Sequence, residues 1–368
     1  MAPFTRLAGT VLAAAALVVT PVATGVASAV PATGSPATGS PATASPATTS
    51  PAHAGTLTIA PAAAPARLVS KRSKKRYRQY VSLGDSWSAD VKLVDGHGLP
   101  DSTDVPIDCA QSQVNYPKLL AAKLKVKVHR DATCGSATTD DFYAPQKLPL
   151  GGSNPPQFNR LTKKTDLVTV GIGGNDAGIA AAALDCLSLL PAALPLPPGT
   201  IPALPDLGIP LLPTQLPLGG CKERFTQGGV DVLAKAIKAS RPRLVRALRE
   251  IHKRSPRARV LMVDYLAAVP TKGCYPLLPM TESDRAYLYK KFRALNAMVK
   301  RAAKQGGAEF VDTYTPSVGH DVCAGPTSRY VEVVGVSVND PAIGVPAHPN
   351  AAGARAQFRA VLKQVRGG

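Results

Sequence analysis

The sequence predicts an α/β fold in which a parallel sheet is flanked by helices. Short β-branched runs that end at a glycine alternate along the chain with longer segments whose apolar residues recur at helical spacing. Strands that alternate with amphipathic helices are typical of βαβ units, which build parallel sheets. About 290 residues, from Gln79 to the C-terminus, are enough to bury one substantial core.

Four strands and four helices are expected in this part of the chain. Tyr80–Leu83 ends at Gly84, and the β-branched run Asp166–Val170 ends at Gly171. Two later apolar runs predict a third strand and a shorter fourth, at Arg259–Val263 and Glu309–Val311. Helical spacing predicts the helices at Tyr116–Leu124, Val230–Lys253, Glu282–Lys304 and Ala351–Val365. Pro242 is expected to break or restart the second helix, because proline lacks the N–H that an inner turn requires.

The first 29 residues have the organisation of a secretory signal peptide. Arg6 supplies a positive charge before the apolar stretch Leu7–Val22, and Ala27-Ser28-Ala29 is a small-residue cleavage site. The apolar stretch is shorter than the roughly 20 residues of a membrane span, and polar residues and a proline interrupt it. We therefore expect cleavage after Ala29, no transmembrane span, and a secreted, extracellular protein.

Residues 30–78 are predicted to form a disordered tether, and residues 79–368 the folded domain. Val30–Pro65 is rich in Pro, Ala, Thr and Ser and begins a degenerate five-residue repeat. It has no apolar periodicity and cannot bury a core. The basic run Arg67–Arg78 follows, and a solvated linker end is favoured over a dedicated binding patch.

The chain is strongly basic, with a formal net charge of +19. Eight Lys and Arg residues and no acidic residue precede Gln79, which leaves +11 for the rest of the chain. A basic exported protein can adhere to anionic envelope polymers or to a lipid interface. Nucleic-acid binding is disfavoured, because aromatic residues make up only 5% of the chain and no stacking motif occurs. We expect a monomer.

The six cysteines predict a disulfide framework. Their number is even and none belongs to a Cys-x-x-Cys pair, so disulfides are favoured over a metal site. Six cysteines allow 15 pairings, and sequence alone does not choose among them. The simplest choice joins neighbours along the chain: Cys109 with Cys134, Cys186 with Cys221, and Cys274 with Cys323.

The segment Leu187–Gly220 stands apart from the strand and helix pattern. Asp206 is its only ionic residue, and its nine prolines forbid a long regular helix. Cys186 and Cys221 bracket the segment, so a disulfide would close its base. Two interpretations stay open: an ordinary surface excursion packed on itself, or an apolar flap beside the active site that meets acyl chains or a lipid interface.

Three short blocks supply the groups that acyl transfer through a serine ester requires. Gly84-Asp85-Ser86 and Gly173-Gly174-Asn175-Asp176 each follow a predicted strand, and ligands bind at the carboxyl ends of strands in open α/β sheets. Ser86 is the candidate nucleophile, and Asn175 Nδ2 could point at the oxyanion. His348, before the last helix, is the candidate general base. Asp85 and Asp176 are interpreted as structural or site-shaping.

These blocks resemble the GDSL, or SGNH, hydrolase family, through Tyr80–Ser86, Gly171–Asp176 and His348–Gly353. With its six cysteines the chain looks like the secreted actinobacterial lipases and esterases of that family. The resemblance implies a flavodoxin-like sheet. It also implies Ser86 as nucleophile and His348 as base. The oxyanion hole it implies consists of the Ser86 N–H, a backbone N–H of a further block, and Asn175.

Two departures from the family pattern concern that further block and the triad acid. Gly135 stands one place before the position where the family has glycine, and Ser136 occupies that position. The donor is therefore the N–H of either residue, with Ser136 preferred on alignment. Val345 stands where the family has Asp, and the nearest upstream carboxylate is Asp340. We hypothesise a Ser86–His348 dyad in which a backbone carbonyl holds the histidine Nδ1–H.

The sequence thus predicts an exported serine ester hydrolase that needs no cofactor and no metal. The apolar Leu187–Gly220 segment favours acyl-lipid esters, so a lipase is the first interpretation. The alternatives are a short-chain or carbohydrate acetyl esterase and a phospholipase A, between which the fold does not decide. A non-catalytic binder, using the basic run and the apolar segment to adhere to a surface, is the competing class.

Overall fold

A computed structural model describes residues 76–190, 217–332, 336–337 and 340–367. The signal peptide and nearly all of the tether lie outside these residues, so the predicted domain boundaries stay predictions. Tyr77 is already buried. The Arg78 N–H donates to the Asp166 carboxylate at 2.8 Å. Ordered packing therefore includes the two residues that precede Gln79.

A five-stranded parallel sheet forms the centre of the fold. In chain order the strands of the described residues are β1 (Gln79–Gly84), β2 (Lys92–Val94), β3 (Val128–Asp131), β4 (Gln146–Lys147), β5 (Ser153–Asn154), β6 (Leu167–Gly171), β7 (Arg259–Val263), β8 (Glu309–Val311), β9 (Val336–Ser337) and β10 (Asp340–Gly344). The central sheet has the order β3-β1-β6-β7-β8, with every pair parallel. All four predicted strands are present, and β3 was not predicted. This is the flavodoxin-like order, in which the direction of strand addition reverses between β1 and β6.

Helices cover both faces of the central sheet. They are α1 (Ser86–Ala89), α2 (Tyr116–Leu124), α3 (Ile179–Asp185), α4 (Cys221–Phe225), α5 (Val232–Arg254), α6 (Glu282–Gly306) and α7 (Ala351–Gly367). The four predicted helices are confirmed as α2, α5, α6 and α7. Side chains of Asn115, Asp231 and Thr281 accept first-turn N–H groups of α2, α5 and α6, which fixes where these helices begin. Single 3₁₀ turns occur at Ile107–Cys109, Thr139–Phe142, Gln157–Arg160, Gln227–Gly229 and Thr315–Ser317.

The prediction that Pro242 breaks or restarts the second helix is wrong, because α5 is continuous from Val232 to Arg254. The missing N–H and the ring of Pro242 cost the helix roughly 3 kcal/mol. A long apolar stripe on α5, which includes Ile237, Leu244 and Leu248, is buried. Burying one such side chain stabilises the fold by roughly 1.5–3 kcal/mol, so the stripe outweighs the proline.

Alternate residues of the strands pack against different helix layers. Val81 and Met262 belong to the core that includes buried residues of α5 and α6. Their neighbours Tyr80 and Leu261 belong to a second core with residues of α2 and α7. Because successive side chains of a strand point to opposite faces, α5 and α6 cover one face of the sheet and α2 and α7 cover the other. Burial on both faces explains why the strands are apolar throughout.

Three disulfides join the cysteine pairs expected from their order along the chain. The bonds are Cys109–Cys134, Cys186–Cys221 and Cys274–Cys323. The second closes the base of the proline-rich segment, where Ser188 also bridges to Leu218. Residues 191–216 lie outside the described residues, and the predicted flap with them. In the part of the chain that the structure describes, no helix combines the length and apolarity needed to cross a bilayer.

Candidate active site

Ser86 is the first residue of α1, two residues beyond the last residue of β1. The Asp85 carboxylate accepts the Trp87 N–H at 3.0 Å and caps this short helix. Gly84 approaches β6 so closely that a side chain there would meet the Gly171 carbonyl oxygen. Within the described residues the Ser86 N–H donates no hydrogen bond. The turn therefore presents both the serine hydroxyl and its own N–H to a ligand.

Ser86 and His348 are in direct contact. The Ser86 Oγ lies 2.8 Å from His348 Nε2. The other ring nitrogen, Nδ1, lies 2.8 Å from the carbonyl oxygen of Pro346. A carbonyl oxygen only accepts, so Nδ1 carries the hydrogen and the neutral ring offers the Nε2 lone pair to the serine hydroxyl. This is the tautomer that a general base for Ser86 requires.

The surroundings of His348 keep its ring neutral. Burial and, to a smaller extent, the nearby Lys92 ammonium lower the pKa of His348 to about 4, whereas the hydrogen bond to Pro346 opposes this shift. Lys92 is itself buried, forms an ion pair with Asp90 at 3.1 Å and donates to the Pro349 carbonyl. His348 is therefore unprotonated, and able to accept a proton, at neutral and mildly acidic pH.

Asn175 and Ser136 lie in the two loops that face the nucleophile. One hydrogen of Asn175 Nδ2 donates to the Ala137 carbonyl at 2.9 Å, which leaves the second amide hydrogen for a ligand. The Gly135 N–H donates to Cys109 O at 3.0 Å, whereas the Ser136 N–H has no partner among the described residues. Of the two donors that the sequence left open, Ser136 is the one whose N–H is available.

Tyr265 connects the nucleophile turn to the Asn175 loop, and sequence reasoning missed it. Its hydroxyl donates to Asp85 Oδ2 at 2.5 Å and accepts the Gly174 N–H at 2.7 Å. Tyr265 lies two residues beyond the end of β7, so its position at the carboxyl edge of the sheet was a usable signal. Burial raises the pKa of Asp85 to about 7, and the hydrogen bond from Tyr265 opposes this rise.

Two other aspartates, Asp176 and Asp340, are of interest from the sequence. Asp176 accepts the hydroxyl of Thr139 at 2.5 Å and its N–H at 3.1 Å, which ties the Asn175 loop to a neighbouring turn. Burial raises the pKa of Asp176. The backbone of Asp340 belongs to β10, and its side chain lies outside what the structure describes.

A cavity of about 660 Å³ opens at the nucleophile. Ser86, Ser136, Asn175 and His348 all line it, so the structure brings every proposed catalytic group to one space. The rest of the wall is largely apolar and includes Leu93, Leu99, Ile107, Leu150, Ile179, Leu184, Leu288, Phe292 and Leu295. An apolar wall beside a few convergent polar groups is the usual form of a small-molecule site.

Comparison with known proteins identifies the family. The model of the GDSL-like Lipase/Acylhydrolase family matches residues 82–356. The chain belongs to this family. Lipase 2 of Streptomyces coelicolor is 32% identical over 82% of this chain and 90% of its own length. An esterase of Streptomyces scabiei is 28% identical over 67% of this chain and 72% of its own length. The protein is a carboxylic ester hydrolase.

Solved structures establish the fold independently. Phospholipase A1 from Streptomyces albidoflavus NA297 aligns with a TM-score of 0.56 at 22% identity, over 78% of this chain and 99% of that one. The extracellular lipase from Streptomyces rimosus aligns with a TM-score of 0.53 at 24% identity, again over 78% and 99%. The predicted sheet with flanking helices is therefore confirmed.

Proposed function

We propose that this GDSL hydrolase is an exported lipase that cleaves acyl-lipid esters through an acyl-enzyme on Ser86. The observation that carries the proposal is the 2.8 Å contact between Ser86 Oγ and His348 Nε2 at the wall of an apolar cavity. A serine hydroxyl becomes a useful nucleophile only when an adjacent base removes its proton. The neutral His348 ring, held through Nδ1 by Pro346, is such a base.

The reaction then proceeds in two halves. Ser86 Oγ attacks the ester carbonyl carbon while His348 Nε2 takes the hydroxyl proton. The resulting oxyanion accepts hydrogen bonds from the N–H groups of Ser86 and Ser136 and from Asn175 Nδ2. The tetrahedral intermediate collapses, the C–O bond to the alcohol breaks, and His348 returns the proton to that alcohol. Water, deprotonated by the same nitrogen, attacks the acyl-enzyme. The bond from the acyl carbon to Ser86 Oγ then breaks, His348 returns the proton to Oγ, and the acid is released.

Acyl lipids are the proposed substrate class because of the cavity wall. Its leucine, isoleucine and phenylalanine side chains, Leu99 and Phe292 among them, offer apolar surface to a hydrocarbon chain. Each methylene that leaves water for such a wall contributes about 0.8 kcal/mol to binding. The curated relatives named lipase, from Streptomyces coelicolor and Streptomyces rimosus, support this choice. The leader-like first 29 residues and the three disulfides support export.

The test is hydrolysis of chromogenic esters from short to long acyl chains, with Ser86→Ala as the control. We expect a long-chain optimum and a loss of at least about 10⁴-fold in the variant. A short-chain optimum would replace the lipase proposal with a short-chain or acetyl esterase. If no ester is turned over in a Ser86-dependent way, the proposed mechanism is wrong.

A further inference from the structure

The net charge of the folded part is concentrated on two neighbouring helices. α5 contains eight Lys and Arg residues and one acidic residue. α6 contains seven Lys and Arg residues and two acidic residues. Together they carry +12, whereas residues 79–368 as a whole carry +11. The rest of that part therefore sums to −1. Since α5 and α6 cover the same face of the sheet, that face is strongly positive.

The exposed side of α5 is basic. Five of its six exposed cations are spaced at 3, 8, 3 and 4 residues, which places them on one side of a helix: Lys235, Lys238, Arg246, Arg249 and Lys253. Glu250, the one acidic residue of α5, pairs with Lys253 at 3.7 Å and with Arg254 at 2.9 Å. In the described part of the chain Lys235, Lys238 and Arg249 form no ion pair.

The positive side and the active site share a helix. Leu288, Phe292 and Leu295 of α6 line the cavity. On the same helix Lys290 and Lys304 are exposed. Lys290 is two residues from both Leu288 and Phe292, so on α6 the basic side and the cavity wall belong to adjacent turns of one helix.

The composition of α5 favours a lipid surface over a single-stranded nucleic acid. α5 contains no Phe, Tyr or Trp on which a base could stack. An anionic phospholipid surface needs no such platform, because it attracts each nearby Lys or Arg by charge alone. Such a surface also contains acyl esters, the substrate class proposed above.

We infer that the basic side of α5 and α6 docks this enzyme on anionic phospholipid surfaces. The benefit of this docking for catalysis rests on the proposed function, since the docked enzyme would have its cavity beside an acyl-lipid substrate. The docking itself is a property of Lys235, Lys238, Arg249 and their neighbours. It is independent of Ser86.

The experiment is sedimentation of the full-length protein with two kinds of vesicle, phosphatidylcholine alone and phosphatidylcholine mixed with phosphatidylglycerol. We expect binding to the anionic vesicles at low salt and its loss at high salt, where charges are screened within a few ångströms. The combined variant Lys235→Gln, Lys238→Gln and Arg249→Gln should lose about fivefold in partition for each charge removed, or about 100-fold in all. Every variant keeps the basic run Arg67–Arg78, so its contribution is constant.

The matched control removes the same charge from the opposite side of the sheet. Arg355, Arg359 and Lys363 are exposed on α7. At about 0.1 M salt their combined substitution by Gln should change partition by no more than about threefold, because the Debye length is then about 10 Å and these charges lie across the sheet from the docked surface. Equal losses in both variants would mean that net charge alone drives binding, and would overturn the proposal. Binding to both vesicles alike, or to polyphosphate or DNA but not to vesicles, would also overturn it.

Failure of the docking proposal and failure of the proposed function give different results. Ser86→Ala should bind anionic vesicles as the wild type does. Both glutamine variants should hydrolyse a soluble short-chain ester at the wild-type rate. If the wild type does not hydrolyse that ester in a Ser86-dependent way, the proposed mechanism is wrong, whereas the result on vesicle binding is unaffected.

Discussion

His348 donates its Nδ1–H to the main-chain carbonyl of Pro346 at 2.8 Å, two residues earlier in the same turn. A peptide carbonyl therefore orients the ring that lies 2.8 Å from Ser86 Oγ. Hydrolytic triads commonly assign this task to a carboxylate. A carbonyl fixes the tautomer equally well, but it brings no negative charge to stabilise the imidazolium that forms during the reaction.

The first prediction concerns Asp340, the nearest carboxylate upstream of the position where the family has its acid. Asp340→Asn should change kcat/KM by no more than about threefold, because the Nδ1–H already has its acceptor in Pro346. The measurement is steady-state hydrolysis of a soluble ester. A loss of about 10³-fold or more, as for a missing triad acid, would make Asp340 the third member of the site.

The pH dependence of the reaction should follow the lowered pKa of His348. The ring accepts a proton from Ser86 only when it is neutral, so activity is lost as pH falls through the pKa of the histidine. Burial, followed by the positive charge of Lys92, lowers this pKa from 6.5 to about 4. The acid limb of kcat/KM for a soluble ester should therefore lie near pH 4. Circular dichroism at each pH separates titration from unfolding, and an acid limb near pH 6.5 would contradict the lowered pKa.

Tyr265→Phe should lower kcat about tenfold to a hundredfold with little change in KM. The substitution removes the hydroxyl that donates to Asp85 and accepts from the Gly174 N–H. Each buried group left unpaired costs about 1–3 kcal/mol. Tyr265 is a positioning residue here, because it holds the nucleophile turn and the Asn175 loop at a fixed separation.

Tyr80→Phe is the matched control for this variant. Tyr80 is equally buried, and its hydroxyl bonds to Thr169 at 2.6 Å without touching Asp85 or Gly174. The Tyr80→Phe variant should lose as much thermal stability as Tyr265→Phe and keep the wild-type kcat. Equal losses of kcat in the two variants would show that Tyr265 acts through general stability.

The oxyanion donors can be separated by two substitutions. Asn175→Ala should lower kcat about 10²- to 10³-fold, the usual effect of removing one such donor. Ser136→Gly should retain activity, since the proposed donor is a backbone N–H that glycine also has. Glycine moreover tolerates the φ of +60° found at Ser136. A large loss of kcat in Ser136→Gly would instead mean that the serine hydroxyl is the oxyanion donor. A wild-type kcat in Asn175→Ala would mean that Asn175 does not stabilise the oxyanion.

Much of this fold could be predicted because its strands are buried on both faces. Arg259–Val263 and Glu309–Val311 have the bounds predicted for them. The motif blocks could be placed because they follow β1 and β6, and the structure pairs these strands directly. Their carboxyl ends therefore lie side by side, which brings Ser86 and Asn175 to one cavity.

The features that were not predicted depend on contacts distant in sequence. Strand β3 has the sequence Val-His-Arg-Asp, in which apolar alternation is hardly visible. It forms because it pairs with β1 along its whole length and because the ring of His129 stacks on the ring of Tyr80, with 4.5 Å between their centroids. The continuity of α5 through Pro242 likewise depends on its buried stripe. The role of Tyr265 requires knowing that β7 lies beside β6, which local patterns do not reveal.

The last prediction concerns the disulfide that closes the proline-rich segment. Cys186 follows α3, whose residues Ile179 and Leu184 line the cavity, and it is bonded to Cys221. Replacing both cysteines by Ala should lower the free energy of unfolding by roughly 2–4 kcal/mol, because the unfolded chain gains conformational freedom. It should also lower turnover of long-chain esters more than that of short-chain esters, since α3 loses an anchor at the end where Leu184 lines the cavity.

The matched control for that variant replaces Cys274 and Cys323 by Ala. This disulfide closes a loop of 49 residues, against 35 for Cys186–Cys221, so its loss should cost at least as much stability. Its Cys274 lies in the loop before α6, and the bond does not involve α3. Its loss should therefore change the ratio of long-chain to short-chain turnover less than the loss of Cys186–Cys221 does. The two effects are read from denaturant unfolding and from the ester series. An unchanged ratio in the Cys186 and Cys221 variant would mean that α3 is held by its packing alone, and that the segment this bond closes has no part in acyl-chain selection.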